Sequence, residues 1–274
     1  LNTSGKVTIR QTPYHTITEV PGLRATAEQI GRIYHRYRFA ADYCSGAAVF
    51  EAACGSGVGL AYLAERAKTV VGGDIDEQNL QAAQAVCRKW SDGDRLRRTF
   101  DLIRCDAHNL AFPERSFDVL ILFEAIYYLR EPGRFVTEAA RVLKDGGVLL
   151  VCTVNKDWRD FHPSPYTYRY FGAPELKDLL GLAFPSVDLY GAFPVSQGGL
   201  YASLISIIKR AAVRLDLIPA SLKMRAYLKR LFIGPLEPLP ERLRDDMGPY
   251  VPPVRIPGDR NNRDYKILYA VARK

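Results

Sequence analysis

Cysteine is scarce in this chain and badly spaced for chemistry. The five cysteines (Cys44, Cys54, Cys87, Cys105, Cys152) are odd in number, widely spread and never form CxxC. That pattern argues against a disulfide framework and against a zinc site, and it points to a reducing cytoplasm. Long apolar runs are missing too: no stretch approaches the roughly 18 uninterrupted apolar residues of a membrane span. The opening residues, LNTSGKVTIR, lack the basic-then-apolar pattern of a secretory leader. Histidine is limited to four positions, His15, His35, His108 and His162, so candidates for imidazole chemistry are few. No internal repeat is present.

What remains is an ordinary globular composition. The chain has 274 residues, of which 47% are hydrophobic and 25% charged, enough for one large domain or two small ones with a proper core. Net charge is +8. This permits an anionic partner (nucleic acid, lipid head groups or a phosphorylated substrate) without choosing among them.

From about residue 49, strand-like and helix-like segments alternate. AVFEAA is short and apolar; glycines follow, and GLAYLAERA reads as a helix. TVVGGDI is a second strand and DEQNLQAAQAVCRKW a second helix, with Asp76 as its N-cap. TFDLIRCDA is a third strand. FDVLILFEAI is a fourth, apolar on both faces as a central parallel strand should be. EPGRFVTEAARVLK reads as a helix ended by DGG, and GVLLVCTV as a fifth strand. APELKDLLGLA, SVDLYGAFP and the terminal YKILYAVAR add a helix and two strands. This rhythm predicts a parallel sheet with helices on both faces. Between the last two strands, two basic amphipathic helices (200–217 and 220–232) and the proline-rich GPLEPLPERL and PYVPPVRIPG break the alternation. The expected organisation is therefore a cap segment over 1–45, a core over 46–193 plus 264–274, and an inserted substrate-facing lid over 194–263.

The stretch VFEAACGSGVG (49–59) carries the chemistry. A glycine-rich turn between strand and helix brings a ligand against bare backbone N–H groups. The spacing is GxGxG (Gly55, Gly57, Gly59) rather than the GxGxxG of dinucleotide sites. Glu51 ends the first strand. Asp74 in VVGGDID sits at the tip of the second, where a carboxylate can accept both hydroxyls of a ribose. Asp106 in CDAHNLAFPERSFDVL follows the third. A nicotinamide dehydrogenase shares the acid after the second strand but not the glycine spacing.

On EAACGSGVG, VVGGDID, DAHNLAFPERSFDVLI and EAARVLKDGGVLLV, in that order over about 40–155, the chain resembles the class I S-adenosylmethionine-dependent methyltransferases. The likeness is to the small-molecule group that includes the ubiquinone and menaquinone methyltransferases. The resemblance implies a Rossmann-like three-layer sandwich whose seven-stranded sheet is mostly parallel, with an antiparallel last strand and a helical insertion between strands six and seven. It implies S-adenosylmethionine as cofactor and no metal. Gly55 and Gly57 would line its methionine part with Ala53, and Glu51 would lie near the ammonium group. Asp74 would bind the ribose and Ile75 would pack on adenine. Asp106 and the Ala107 N–H would meet the adenine edge, and Phe123, at the end of strand four, would be a further cofactor-binding residue.

The catalytic group is less determined, because relatives often carry a histidine where this chain reads FEAIYYL. The candidates are Glu124, Tyr127 and His162, the last beside an aromatic cluster in DFHPSPYTYRYF. Tyr37 or Arg38 are candidates for the cofactor carboxylate. The expected reaction is methyl transfer to a small-molecule, lipid-linked or saccharide acceptor at oxygen. The alternatives are an RNA methyltransferase using the basic insertion, a C-methyltransferase of a quinone-like ring, and a cofactor-binding protein without turnover. Nucleic acid is disfavoured because strand four lacks a DPPY-like motif. The expected location is cytoplasmic, with 200–232 touching the inner face of a membrane.

Overall fold

The computed structural model describes residues 14–90, 100–195 and 236–274. The basic helices expected over 200–217 and 220–232 lie outside the described residues. Among the described residues, no helix is long and apolar enough to cross a membrane.

The elements run β1 (Arg24–Thr26), α1 (Ala27–Cys44), β2 (Ala48–Ala52), α2 (Leu60–Ala64), β3 (Thr69–Asp74), α3 (Glu77–Trp90), β4 (Phe100–Arg104) and β5 (Phe117–Phe123). They continue with α4 (Pro132–Val142), β6 (Leu143–Val154), α5 (Ala173–Gly181), β7 (Ser186–Pro194), β8 (Leu236–Pro238), β9 (Val254–Ile256) and β10 (Tyr265–Arg273). One sheet takes the order β4-β3-β2-β5-β6-β10-β7-β9. Its β4 to β6 half is parallel, and β10 runs antiparallel between β6 and β7. The Rossmann-like α/β sandwich with an antiparallel last strand is the observed fold.

The sheet has eight strands rather than seven. The extra strand comes from PYVPPVRIPG: Val254–Ile256 pairs antiparallel with β7 at the sheet edge. Prolines are tolerated there because an edge strand bonds on one side only. Leu236–Pro238 likewise pairs with Arg24–Thr26 to form a separate two-stranded sheet. A second difference concerns α4. It stops at Val142, where Leu143 turns extended at φ −75° and ψ 140°. The DGG that reads as a helix cap instead falls inside the irregular start of β6, with Gly146 at φ +76°.

Two apolar layers sandwich the sheet. Leu120 and Leu122 of β5 pack with Phe135 and Val136 of α4 and Leu176 of α5. Ile121 and Phe123 point to the other side, toward Ile33 and Tyr37 of α1 and Leu60 of α2. α1 opens with a capping box: the Thr26 hydroxyl accepts the Gln29 N–H at 3.1 Å, and the Gln29 side chain accepts the Thr26 N–H at 3.0 Å. The chain fills β2, β3 and β4 outward, then crosses back to place β5 beside β2. That reversal opens a crevice at the carboxyl ends of β2 and β5, where α/β sheets bind ligands.

Gly59 lets α1 approach the crevice. A Cβ added there would lie 1.9 Å from the Tyr37 ring, which is almost fully buried. Gly31, inside α1, has nothing within 4 Å of an added Cβ. Gly59→Ala is therefore expected to destabilise the fold by about 1–3 kcal/mol through overpacking. Gly31→Ala is expected to stabilise it by about 0.5–1 kcal/mol through reduced chain entropy. Urea denaturation of both variants checks the opposed signs; equal effects would contradict the packing account.

Candidate functional site

The glycine turn is built by conformation first. Ala53, Gly55 and Gly57 all take left-handed φ values of 53°, 57° and 69°, which only glycine adopts at no steric cost. The turn is then tied down from β3. The Asp74 carboxylate accepts the Gly55 N–H at 2.9 Å through Oδ2, and the Asp76 N–H at 2.9 Å through Oδ1. The Asn79 amide adds a third contact at 3.3 Å. Burial pushes the Asp74 carboxyl up, against the pull of these donors. Capping of α3 falls to Asp76, whose Oδ1 accepts the Gln78 N–H at 2.9 Å, as the sequence predicts.

A cavity of about 370 Å³ runs over the ends of the strands. At one end stand Asp74, Ile75, Asp106 and Ala107. Ile75 is an exposed apolar side chain, available to a flat apolar ligand face. Asp106 Oδ1 accepts the His108 N–H at 2.9 Å and meets the His108 ring at 2.6 Å. Burial raises the Asp106 carboxyl, but these contacts outweigh it and hold it below the usual range.

In the middle stand Glu51, Ala53, Gly55 and Phe123. Glu51 is 1% exposed. Its Oε1 accepts the Tyr37 hydroxyl at 2.6 Å, while Oε2 is buried without a hydrogen-bond partner among the described residues. Burial raises its pKa to about 7, against the Tyr37 hydrogen bond and the nearby Arg36 charge. Arg36 is also buried and pairs with Glu19, yet its Nε has no hydrogen-bond partner among the described residues.

Beyond Phe123, Glu124 sits at φ +51°, an unfavourable conformation for a residue with a Cβ and a mark of functional sites. Its Oε2 accepts the Tyr127 hydroxyl at 2.8 Å. Burial raises the Glu124 carboxyl despite Arg36 and this bond. Burial also pushes Tyr127 well up, so the phenol stays neutral and donates.

Three expected site residues, Gly57, His162 and Arg38, are not in the cavity wall. Gly57 faces α3 instead: a Cβ there would lie 2.9 Å from the Ala83 Cβ, so its role is close packing of the turn. His162 is exposed in the loop after β6 and does not line the cavity. Of the neighbouring aromatics, Phe161 stacks edge-on against Tyr170 at 4.7 Å and Tyr170 lies 5.0 Å from Tyr127, while Tyr166 and Tyr168 are exposed. His35 is a core residue. Its Nε2–H donates to the Val251 carbonyl at 2.8 Å, leaving Nδ1 to accept the Tyr269 hydroxyl at 2.8 Å. Arg38 pairs with Asp42 outside the cavity, whereas Tyr37 lines it. Sequence reasoning missed Arg36 and Arg32, both on the cavity wall. The available signal was their spacing of four in α1, which puts both on one helix face.

Residues 50–151 match a family model described as "Methyltransferase domain". A probable S-adenosylmethionine-dependent methyltransferase of Mycolicibacterium smegmatis is 34% identical over 179 residues, covering 64% of this chain and 66% of that protein. A ubiquinone biosynthesis O-methyltransferase of a Bradyrhizobium species is 27% identical over 130 residues, 47% of this chain and 49% of that one. The chain thus spans less than two thirds of the length of these curated relatives. Among solved structures, an Archaeoglobus fulgidus S-adenosylmethionine-dependent methyltransferase superposes with a TM-score of 0.53 at 14% identity, covering 89% of this chain and 94% of that one. That likeness concerns the fold.

The buried Glu51 gives a pH signature. Its folded pKa of about 7 lies above the ordinary 4.5, so the folded state holds the extra proton and the stability from Glu51 is fully present at low pH. It is lost as pH rises from about 4.5 through about 7, at up to about 1.4 kcal/mol per pH unit. Relative to Glu51→Gln, the native chain should therefore lose stability across this window and level off above it. Parallel stability–pH curves in urea melts would refute this.

Proposed function

We propose that the chain, whose residues 50–151 match a methyltransferase domain, is a class I S-adenosylmethionine-dependent methyltransferase that transfers a methyl group to the hydroxyl of a small-molecule, lipid-linked or saccharide acceptor. The observation that carries this reading is the pair of incomplete groups in the middle of the cavity. The bare Glu51 Oε2 suits an ammonium group and the bare Arg36 Nε a carboxylate. Buried polar atoms left without a hydrogen bond are costly, and a ligand with a free amino-acid end satisfies both. This acceptor and this donor therefore fit the methionine part of S-adenosylmethionine. Asp74 and Asp106 keep further acceptor capacity for ribose and adenine, and Ile75 offers an apolar face.

Bound S-adenosylmethionine supplies a methyl group on a positively charged sulfur, so the protein's task is chiefly alignment. Glu51, Arg36 and Gly55 hold the amino-acid end. Tyr37 and Phe123, 5.7 Å apart edge to face, wall the centre from water. Glu124 accepts the proton from the acceptor hydroxyl, and Tyr127 holds that carboxylate in place through its phenol. The raised Glu124 carboxyl brings its proton affinity closer to neutrality, which favours a general base. Oxygen is favoured because a hydroxyl must lose a proton and a carboxylate stands ready for it. The name of the Bradyrhizobium relative supports the same chemistry.

Two measurements test this. Incubation with S-adenosylmethionine and hydroxyl acceptors should form S-adenosylhomocysteine. Glu124→Gln should lower kcat by about 10²–10⁴-fold while leaving cofactor affinity intact; full activity in that variant would remove Glu124 from the mechanism. Because an ammonium group beside Glu51 favours its ionised form, S-adenosylhomocysteine binding should release a proton below about pH 7. Calorimetry in buffers of differing ionisation heat should show this release in the native chain and lose it in Glu51→Gln. Buffer-independent heats in the native chain would contradict the Glu51 assignment.

A further inference from the structure

The cavity continues past the groups assigned to the cofactor. Following the sheet order, Asp74 stands on β3, Glu51 on β2 and Phe123 on β5. Beyond them the wall passes to Val154 of β6 and Ile267 of β10, which face each other in register. Nothing in the cofactor reading needs this end. It rests on that reading only in that the cofactor fills the other.

α1 roofs this far end with a row of polar side chains. Gln29, Arg32 and Arg36 follow one another at helix-face spacing, and all three line the cavity. Arg36 is spent on Glu19 and on the middle of the site. Arg32 is only partly used. Its Nη2 donates to Glu28 at 2.7 Å, and its guanidinium lies 5.6 Å from the Phe193 ring centre. Its Nε is buried with no hydrogen-bond partner among the described residues. Glu28 is half exposed and divides itself between Arg32 and Lys266, the latter at 2.9 Å. The remaining walls there are apolar, with Val154 and Ile267 among them.

A buried guanidinium N–H without an acceptor carries a desolvation penalty that a ligand oxygen removes. Arginine's planar fork matches the paired oxygens of a carboxylate or phosphate. We propose that this end of the cavity is an oxyanion subsite for the acceptor, with Arg32 as its specificity residue. The acceptor is then a hydroxylated carboxylic acid or phosphate ester with an apolar or aromatic body. Its hydroxyl meets Glu124, its acid group meets Arg32, and its body rests on Val154 and Ile267. Neutral analogues are rejected because they leave the Arg32 N–H unpaired.

The test uses the full chain saturated with S-adenosylhomocysteine and three probes of one shape: benzoate, phenyl phosphate and benzamide. Calorimetry should show benzoate or phenyl phosphate binding at least about tenfold more tightly than benzamide, the value of a charged hydrogen bond. Which of the two anions binds more tightly tells whether carboxylate or phosphate is the natural group. Arg32→Gln should remove the preference, leave S-adenosylhomocysteine affinity unchanged, and melt as the native chain does. Equal binding of benzamide and benzoate, no binding of any probe, or an anion preference that survives Arg32→Gln would each overturn the proposal. The comparison of probes on the native chain needs no variant. Failure of S-adenosylhomocysteine itself to bind would instead overturn the cofactor reading, and the subsite with it.

Discussion

The contact on which this site depends is the Tyr37 phenol on the Glu51 carboxylate, 2.6 Å long and wholly buried. Gly59 makes it possible by presenting no Cβ where the Tyr37 ring must lie. The bond satisfies one carboxylate oxygen and leaves the other buried without a hydrogen-bond partner among the described residues. It also fixes the roll of α1 against the sheet. With that roll set, the helix face bearing Gln29, Arg32 and Arg36 has one place to go, which is the cavity roof. A packing decision at one glycine therefore sets the charge distribution of the site.

The site is arranged as a set of buried charges, each partly neutralised by a neighbour. Glu51 and Glu124 are raised by burial and pulled down by Arg36. Arg36 is held by Glu19, and Asp74 gives one oxygen to the glycine turn and the other to the Asp76 N–H and the Asn79 amide. Such an arrangement is costly to bury and poor as a source of stability. It makes sense where a ligand of mixed charge completes it. Left-handed backbone at Ala53 and Glu124, at the ends of adjacent strands, belongs to the same economy. The fold tolerates local strain at the two points where side chains must aim outward into the crevice.

Much of this was legible from residue order. The alternation of short apolar runs with helical segments gave the parallel half of the sheet, because each such strand is buried on both faces and each crossover needs a helix. Glu51, Asp74 and Asp106 were legible as crevice residues because the carboxyl ends of parallel strands all open on the same side. Other features were not. Val254–Ile256 hides among prolines, and only its neighbour β7 makes it a strand. His162 sits beside aromatics in the chain, yet only Tyr170 and Phe171 among them pack onto the core, and they do so without it. Gly57 carries the spacing of a ligand-facing glycine, while its actual neighbour is α3.

The chain by itself determined the order of the strands' chemistry: a glycine turn after β2, acids after β3 and β4, and a carboxylate with two tyrosines after β5. Local rules suffice for this, since turn conformation and strand burial depend on residues close in sequence. Only the tertiary structure decided which polar atoms remain bare, which glycine makes room for which ring, and that α1 roofs the cavity with arginines. Those outcomes depend on contacts between segments far apart in the chain, such as Tyr37 with Glu51 and Gly59, or Val154 with Ile267. No local pattern encodes the separation at which such groups meet.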